Sequence, residues 1–452
     1  MIWPICCVTM KTLWRKYYMN SYPELVRDQN GDSKSFEHSL DSIEHSLFTD
    51  PYYTSFDAMH GTTQLVDDYL RNSFDTTNGQ IIAGGSLGRG EMLPNSDVDI
   101  FMLGTDLSSN GDKQSIPSLE KTEVGKADEN MMQKIIGSPL VDGNRLVDGR
   151  VLTGNKERYL SILIKQNTTD RQLANIISEF FYFRCFDYPH KHTIYGPNLK
   201  YSSGSSRDLI FFDWAYRLDS QILPAMIESS GSEIEDSLNY IQKENEIYLS
   251  QIVIDILLTS KNAAIHLFNR TEDARVKYCS PETLRLIYGL CEHKMLGIGI
   301  RDEDQFISTY YSGRVQIEDA VNRLMHNILD KYLIGYDHEA PIATLIKDDE
   351  LLHSKLALKS WITSSNSSST EEIDKHTKTL MTLPVGTCWG GIMAMICSPY
   401  INDNTLSTVA EWLNNSEDGG AYLLKLIARS TNASQKTKDM AKKYYASKEI
   451  IK

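Results

Sequence analysis

Apolar residues recur at helical spacing through most of this chain and at strand spacing only over a short N-terminal stretch. Phe56, Met59, Val66, Leu70 and Phe74 follow one another at three-, four- and seven-residue steps, which places them on one face of a helix. Ile81-Ile-Ala83 is a short apolar run closed by Gly84 and Gly85, the pattern of a buried strand entering a sharp turn. Asp97-Val-Asp-Ile-Phe-Met-Leu103 alternates and predicts a second strand. From about Asn155 helical patterns predominate, over 157–164, 171–186, 207–227, 234–268, 281–296 and 317–334. The expected fold class is α+β, a small mixed-sheet core followed by a large α-helical region.

The same pattern divides the chain. Residues 1–50 are expected to be a polar N-terminal segment, 51–150 the sheet-bearing domain, 151–340 a helical domain, and 341–375 a linker region. Within that linker, Thr363-Ser-Ser-Asn-Ser-Ser-Ser-Thr370 reads as too serine-rich to pack. Residues 376–452 form a C-terminal helical module. In it Ile396-Cys-Ser-Pro and Val409-Ala410 recur as Ile427-Ala-Arg-Ser and Met440-Ala441 at a register of 31, which hints at stacked helical pairs, although stable solenoids normally need at least three units.

The chemistry concentrates in Ile81-Ile-Ala-Gly-Gly-Ser-Leu-Gly-Arg-Gly-Glu-Met-Leu-Pro-Asn-Ser-Asp-Val-Asp-Ile100. Side chains two apart on a strand share a face, with Cα atoms about 6.5 Å apart, so Asp97 and Asp99 can converge on metal. Two Mg²⁺ ions roughly 3.5 to 4 Å apart fit such a pair and serve an in-line displacement at phosphorus. Gly85-Ser-Leu-Gly-Arg-Gly90 lacks both the Lys-Ser/Thr ending of a P-loop and the spacing of the dinucleotide fingerprint, so a different nucleotide fold is required. Gly84, Gly85 and Ser86 are expected to cradle a triphosphate, with Ser86 capping the following helix. Arg89 offers it charge, and Glu91 anchors that helix.

Gly84-Gly-Ser-Leu-Gly-Arg-Gly-Glu91 followed by Ser96-Asp-Val-Asp-Ile100 resembles the protein-PII uridylyltransferase branch of the DNA-polymerase-β-like nucleotidyltransferases. Tyr195-Gly-Pro-Asn-Leu-Lys-Tyr-Ser-Ser-Gly-Ser-Ser-Arg-Asp-Leu209 is similar to that family's connector between catalytic core and helical domain, matching at Asn198, Lys200, Arg207 and Asp208 with serines in place of most glycines. Arg150-Val-Leu-Thr-Gly154 resembles a third family segment. The likeness covers about residues 50 to 335. It implies Asp97 and Asp99 as metal ligands, nucleotide contacts from Ser96 and Lys200, and a third carboxylate serving as base. Leu119-Glu-Lys-Thr-Glu-Val-Gly125 nominates Glu123 for that last role, with Glu120 and Asp128 as substitutes. The family's phosphohydrolase and ligand-sensing domains have no counterpart here, so reversal of the modification is not expected. Ser205-Ser-Arg-Asp208 also has capping-box spacing and reads first as a helix start.

Composition narrows the partners. Lys and Arg number 46 against 60 Asp and Glu, a net charge of −14, which disfavours long-range attraction to nucleic acid and tilts the acceptor toward a protein or small molecule. Hydrophobic residues at 41% and charged residues at 23% are ordinary for a globular chain. Seven cysteines without a Cys-x-x-Cys pair favour reduced thiols and a cytoplasmic location, and no stretch is apolar for long enough to span a membrane. The expected activity is Mg²⁺-dependent transfer of UMP or AMP from UTP or ATP to a protein hydroxyl, releasing pyrophosphate. Two alternatives stay open on sequence: a glutamine-synthetase-adenylyltransferase-like enzyme, and a catalytically weak nucleotide-sensing or interaction protein.

Overall fold

A computed structural model describes residues 33–73, 80–103, 122–127, 149–166, 168–220, 233–337, 340–346, 351–416 and 420–449. Four short strands form one mixed sheet: β1 (Gln80–Gly84), β2 (Val98–Leu103), β3 (Thr122–Ala127) and β4 (Arg150–Thr153), in the order β3-β2-β1-β4. β1 runs antiparallel to both β2 and β4, whereas β2 and β3 are parallel. Helices α1 (Ser33–Thr49) and α2 (Ser55–Ser73) precede the sheet, and α3 (Gly85–Gly88) follows β1 directly. Phe36, Val66, Leu70, Ile81, Ala83, Leu87, Val98 and Ile100 close a small core on one side of the sheet. The α+β expectation holds, with the sheet confined to the N-terminal part.

α1 departs from the expected polar N-terminal segment, since its helix occupies residues 33–49 within 1–50. Between its serines and acids, Phe36, Ile43, Leu47 and Phe48 keep helical spacing and are buried.

The helical region comprises α4 (Lys156–Gln166), α5 (Thr169–Tyr182), a π-helical turn at Phe183–Asp187 running into α6 (Tyr188–His190), α7 (Ile210–Ser220), α8 (Glu233–Glu244), α9 (Gln251–Thr271), α10 (Pro281–Gly297) and α11 (Glu303–Tyr332). The single helix expected over 234–268 is two. Glu246 takes the left-handed conformation at φ +53°, and Leu249 N bonds back to Gln242 Oε1, so the chain turns before α9. Ile247 and Leu249 are buried in that turn, and burial alone makes them look like helix in the sequence.

A buried ammonium fastens this region to the N-terminal helices. Lys294 on α10 reaches Tyr53 O at 2.9 Å and Asp255 Oδ2 at 3.1 Å, while Asp255 Oδ1 accepts the Ser55 amide at the start of α2. The charge is out of water but satisfied by the turn before α2 and by α9, which fixes α10 against both.

The remaining helices, α12 (Ile342–Leu345), α13 (Leu352–Asn366), α14 (Thr370–Leu380), α15 (Val385–Cys397), α16 (Asp403–Asn415), α17 (Ala421–Arg429) and α18 (Gln435–Glu449), overturn the expected linker. Residues 352–366 are a helix with Leu356, Ala357 and Trp361 in the core, and the serine run is the tight turn into α14. Ser364 and Ser367 are buried, and two hydroxyls of the run serve the turn: Ser367 Oγ accepts the Ser369 amide at 3.1 Å, and Ser369 Oγ caps α14 at Glu372 N.

That turn is repeated. Ser398 Oγ accepts Tyr400 N at 3.3 Å after α15, and Ser430 Oγ accepts Asn432 N at 3.2 Å after α17. Bonds between residues 31 apart tie successive pairs, Thr405 Oγ1 to Asp374 Oδ1 and Ser434 N to Asp403 Oδ1. Three stacked helical pairs therefore stand where the sequence offered two copies.

Candidate active site

β1 delivers the chain into the turn with Gly84 extended at φ −113°, ψ 179°, and Gly85 at φ +53°, a conformation that favours glycine. A Cβ on Gly85 would lie 2.2 Å from Asp99 Oδ2, so the Asp99 carboxylate occupies the space that any larger residue would need. Asp99 is half-buried on β2 and Asp97, immediately before the strand, is exposed, whereas Val98 and Ile100 between and beyond them are buried in the sheet core. The alternation puts the two acids on the face away from that core. Strand register sets Gly84 across from Asp99 and Asp99 across from Glu123, one row over three strands. Glu120 and Asp128 lie outside the described residues.

This donor set suits a hard divalent cation. One open and one half-buried carboxylate supply oxygens without closing the coordination sphere, and they adjoin a turn whose leading amides have no helical partner.

Ser86 does not cap the helix. α3 begins one residue earlier, with Gly84 at the cap position and no side-chain cap bond, and Ser86 sits in the first turn with its carbonyl accepting Glu91 N at 2.8 Å. Arg89 Nε bonds Glu91 Oε2 at 2.9 Å, so the expected phosphate cation is also the partner of the expected anchor. Ser96 shapes the approach to the acids: its Oγ accepts Leu93 N at 3.1 Å and its amide donates to Leu93 O at 2.9 Å. Next to it, the Asn95 amide donates to Glu44 of α1, whose other oxygen meets His266 Nδ1 of α9 at 2.8 Å. The loop carrying the acids is thus held from both sides.

The Arg150 motif has a structural basis. Arg150 forms a bidentate pair with Asp67 of α2, at 2.6 and 3.0 Å, and donates to Leu87 O at 3.1 Å at the end of the glycine turn.

The connector at 195–208 lies along α11, with Gly204 at φ +72° against the Arg314 backbone. Asp208 does reach back along its own segment, to Gly204 N at 2.7 Å, but also accepts Tyr188 Oη at 2.7 Å and Arg184 Nη1 at 2.9 Å, and the helix starts only at Ile210. Asn198 Oδ1 fixes the Lys200 and Tyr201 amides at 2.9 and 3.0 Å. Lys200 Nζ and the Arg207 guanidinium lie 5.1 and 5.9 Å from the Tyr201 ring centre, and Lys191 Nζ 3.5 Å. Burial would raise the Tyr201 hydroxyl, but Lys200, Arg207 and Lys191 together hold it below its ordinary value.

Comparison with known proteins bears on the same stretch. Residues 68–152 match the family model of a nucleotidyltransferase domain. The chain carries a nucleotidyltransferase domain. Beyond that domain it is distantly similar to bifunctional uridylyltransferase/uridylyl-removing enzymes. The protein of that name from Acinetobacter baylyi is 21% identical over 339 residues, 71% of this chain and 36% of its own length. Those from Aliivibrio fischeri and Hydrogenovibrio crunogenus are each 23% identical, over 61% and 51% of this chain and 31% and 26% of their own. The chain therefore spans between a quarter and just over a third of the length of the curated relatives it matches. The matched residues hold β1 to β3, β4 but for Thr153, and both acids, while Lys200 and Arg207 lie beyond them.

Proposed function

We propose that this protein transfers a nucleoside monophosphate, UMP or AMP, from a nucleoside triphosphate to a hydroxyl of an acceptor protein, releasing pyrophosphate. The observation that carries the reading is the placement of Asp99 in the Cβ space of Gly85, in one strand row with Gly84 and Glu123 and one residue removed from the exposed Asp97. Asp97 and Asp99 would hold Mg²⁺, two ions on the usual stoichiometry of such pairs, and the metal when bound neutralises charge on the phosphates and acidifies the acceptor hydroxyl.

The chain's own groups do the rest. Gly84, Gly85 and Ser86 present backbone to the phosphates, and Ser96 holds the loop that aims the acids. The acceptor oxygen forms a bond to the α-phosphorus as the bond from that phosphorus to the β-bridging oxygen breaks. The hydroxyl proton goes to Glu123, and pyrophosphate carries away the electron pair of the broken bond, with Arg89 and Lys200 offsetting its charge.

The resemblance to protein-PII uridylyltransferases favours UTP and a PII-like protein as acceptor; the glutamine-synthetase-adenylyltransferase-like reading differs in both the base and the acceptor. Incubating the full chain with Mg²⁺, cell extract and either α- or γ-labelled UTP or ATP decides both points. Label is expected on a protein band from the α-labelled nucleotide alone, and label from the γ-phosphate, or binding without any transfer, contradicts the reading.

A further inference from the structure

The turn that leads into Asp97 is tethered through one side chain. Asn95 sits inside the turn that the Leu93 and Ser96 bonds close. Its Nδ2 donates to Glu44 Oε1 of α1 and, at 3.5 Å, to Asn262 Oδ1 of α9, while its Oδ1 accepts Asn269 Nδ2 at 3.5 Å. The tether is itself tied. Asn262 Nδ2 donates to the same Glu44 oxygen at 3.4 Å, the other Glu44 oxygen meets His266 Nδ1 at 2.8 Å, and the His266 ring stands edge-on to Phe48 with centres 5.5 Å apart. Asn262, His266 and Asn269 follow at steps of four and three, so one face of α9 is turned to this loop.

An amide suits the position because it offers donor and acceptor at one end, and Asn95 uses both. Asn262 is fully buried and the Glu44 and His266 side chains nearly so, which makes these bonds costly to leave unmade. Strand register begins at Val98, so Asp99 is fixed by its ladder whereas Asp97 stands one residue outside it. Where Asp97 lies relative to Asp99 is then set by the turn behind it. Two carboxylates repel until a cation joins them, and an untethered turn would let Asp97 swing away. Glu44, Asn262, His266 and Asn269 all fall outside residues 68–152, the stretch matched as a nucleotidyltransferase domain.

We propose that Asn95 is a positioning residue for the metal site, held by Glu44 of α1 and Asn262 of α9 so that Asp97 stays beside Asp99. The proposal rests on the nucleotidyltransferase reading above. It deepens that reading by completing the metal site from outside the domain that carries its ligands.

The test is Mn²⁺ binding by the full chain, read from loss of the free-ion electron paramagnetic resonance signal with UTP or ATP present, beside transfer of α-label in cell extract over a range of Mg²⁺. Wild type is compared with Asn95→Ala, Glu44→Ala, Glu44→Gln and Asn269→Ala. Asn95→Ala and Glu44→Ala should each weaken Mn²⁺ binding about tenfold to a hundredfold, the usual effect of removing a group that orients a metal ligand. The Mg²⁺ needed for half-maximal transfer should rise with it. Glu44→Gln keeps an oxygen for Asn95 and should stay within about threefold of wild type. Asn269→Ala removes an exposed partner without threatening the fold and should weaken Mn²⁺ binding about threefold; it decides on the same readout if Asn95→Ala does not fold. A lower unfolding temperature with wild-type Mn²⁺ affinity in the folded variants overturns the positioning role and leaves the nucleotidyltransferase reading standing. Wild type that neither binds Mn²⁺ with nucleotide nor transfers label overturns both.

Discussion

At the scale of single residues, the contact between Gly85 and Asp99 concentrates two demands at one position: a left-handed backbone and room for a carboxylate. Gly85→Ala meets neither. It is expected to lower stability by roughly 1–3 kcal/mol, the usual cost of a strained left-handed residue, and to remove nucleotidyl transfer by displacing Asp99, as read by urea denaturation alongside an activity assay. The turn was legible from the glycine pair; that Asp99 fills the space a Cβ on Gly85 would need was not, because nothing local in the sequence sets β2 across from that turn. Ser86 as a helix cap was not, because the helix starts on the glycine itself, where propensity gives no warning.

At the scale of elements, the glycine turn is braced by a chain of contacts from α2 through Arg150 to Leu87 O. Both Arg150 and Asp67 are almost fully buried, so removing one partner strands the other. Arg150→Met is expected to cost about 3–5 kcal/mol, and Asp67→Leu with Arg150→Met to recover much of that loss, because two apolar groups no longer leave an unpaired charge. Chemical denaturation of the three proteins checks both figures, and a double variant as unstable as the single one would show that the pair matters for more than its charges. Element types were mostly readable from apolar spacing, but their ends were not. The expected helix over 234–268 breaks at a left-handed Glu246, and glutamate carries no breaker signal. The serine run at 363–370 looked too polar to fold, whereas hydroxyls that bond their own backbone can be buried at helix ends.

At the scale of the whole molecule, a sheet domain, a helical body and three stacked helical pairs are joined by a few polar locks set in apolar contact. The stack meets the body where Asp170 of α5 receives the His353 and Ser354 amides at 3.0 and 2.9 Å, together with His353 Nδ1 at 2.6 Å and Ser354 Oγ at 2.6 Å. Next to this, Phe181 stacks on Trp361 with ring centres 5.7 Å apart. Burial opposes the charge on Asp170, but the bonds from His353 and Ser354 outweigh it and hold the carboxyl below its ordinary value of 3.8. An acid with a depressed folded value stabilises above its unfolded value and loses that contribution as pH falls through the folded one. The stability gap between wild type and Asp170→Asn is therefore expected to be constant near neutral pH and to close as pH drops below about 4; a gap that persists in acid would show that Asn repacks the joint for other reasons. Among the described residues no helix is long and apolar enough to cross a membrane.

The central claim is that Asp97 and Asp99 make this a nucleotidyl-transferring site. Its most direct test is transfer of α-labelled nucleotide by Asp99→Asn and Asp97→Asn, each compared with wild type at matched unfolding temperature. Losing a metal-binding carboxylate removes several kcal/mol of transition-state stabilisation, so each rate should fall on the order of 10³-fold, with triphosphate binding in the absence of metal retained. Full transfer by either variant would contradict the account.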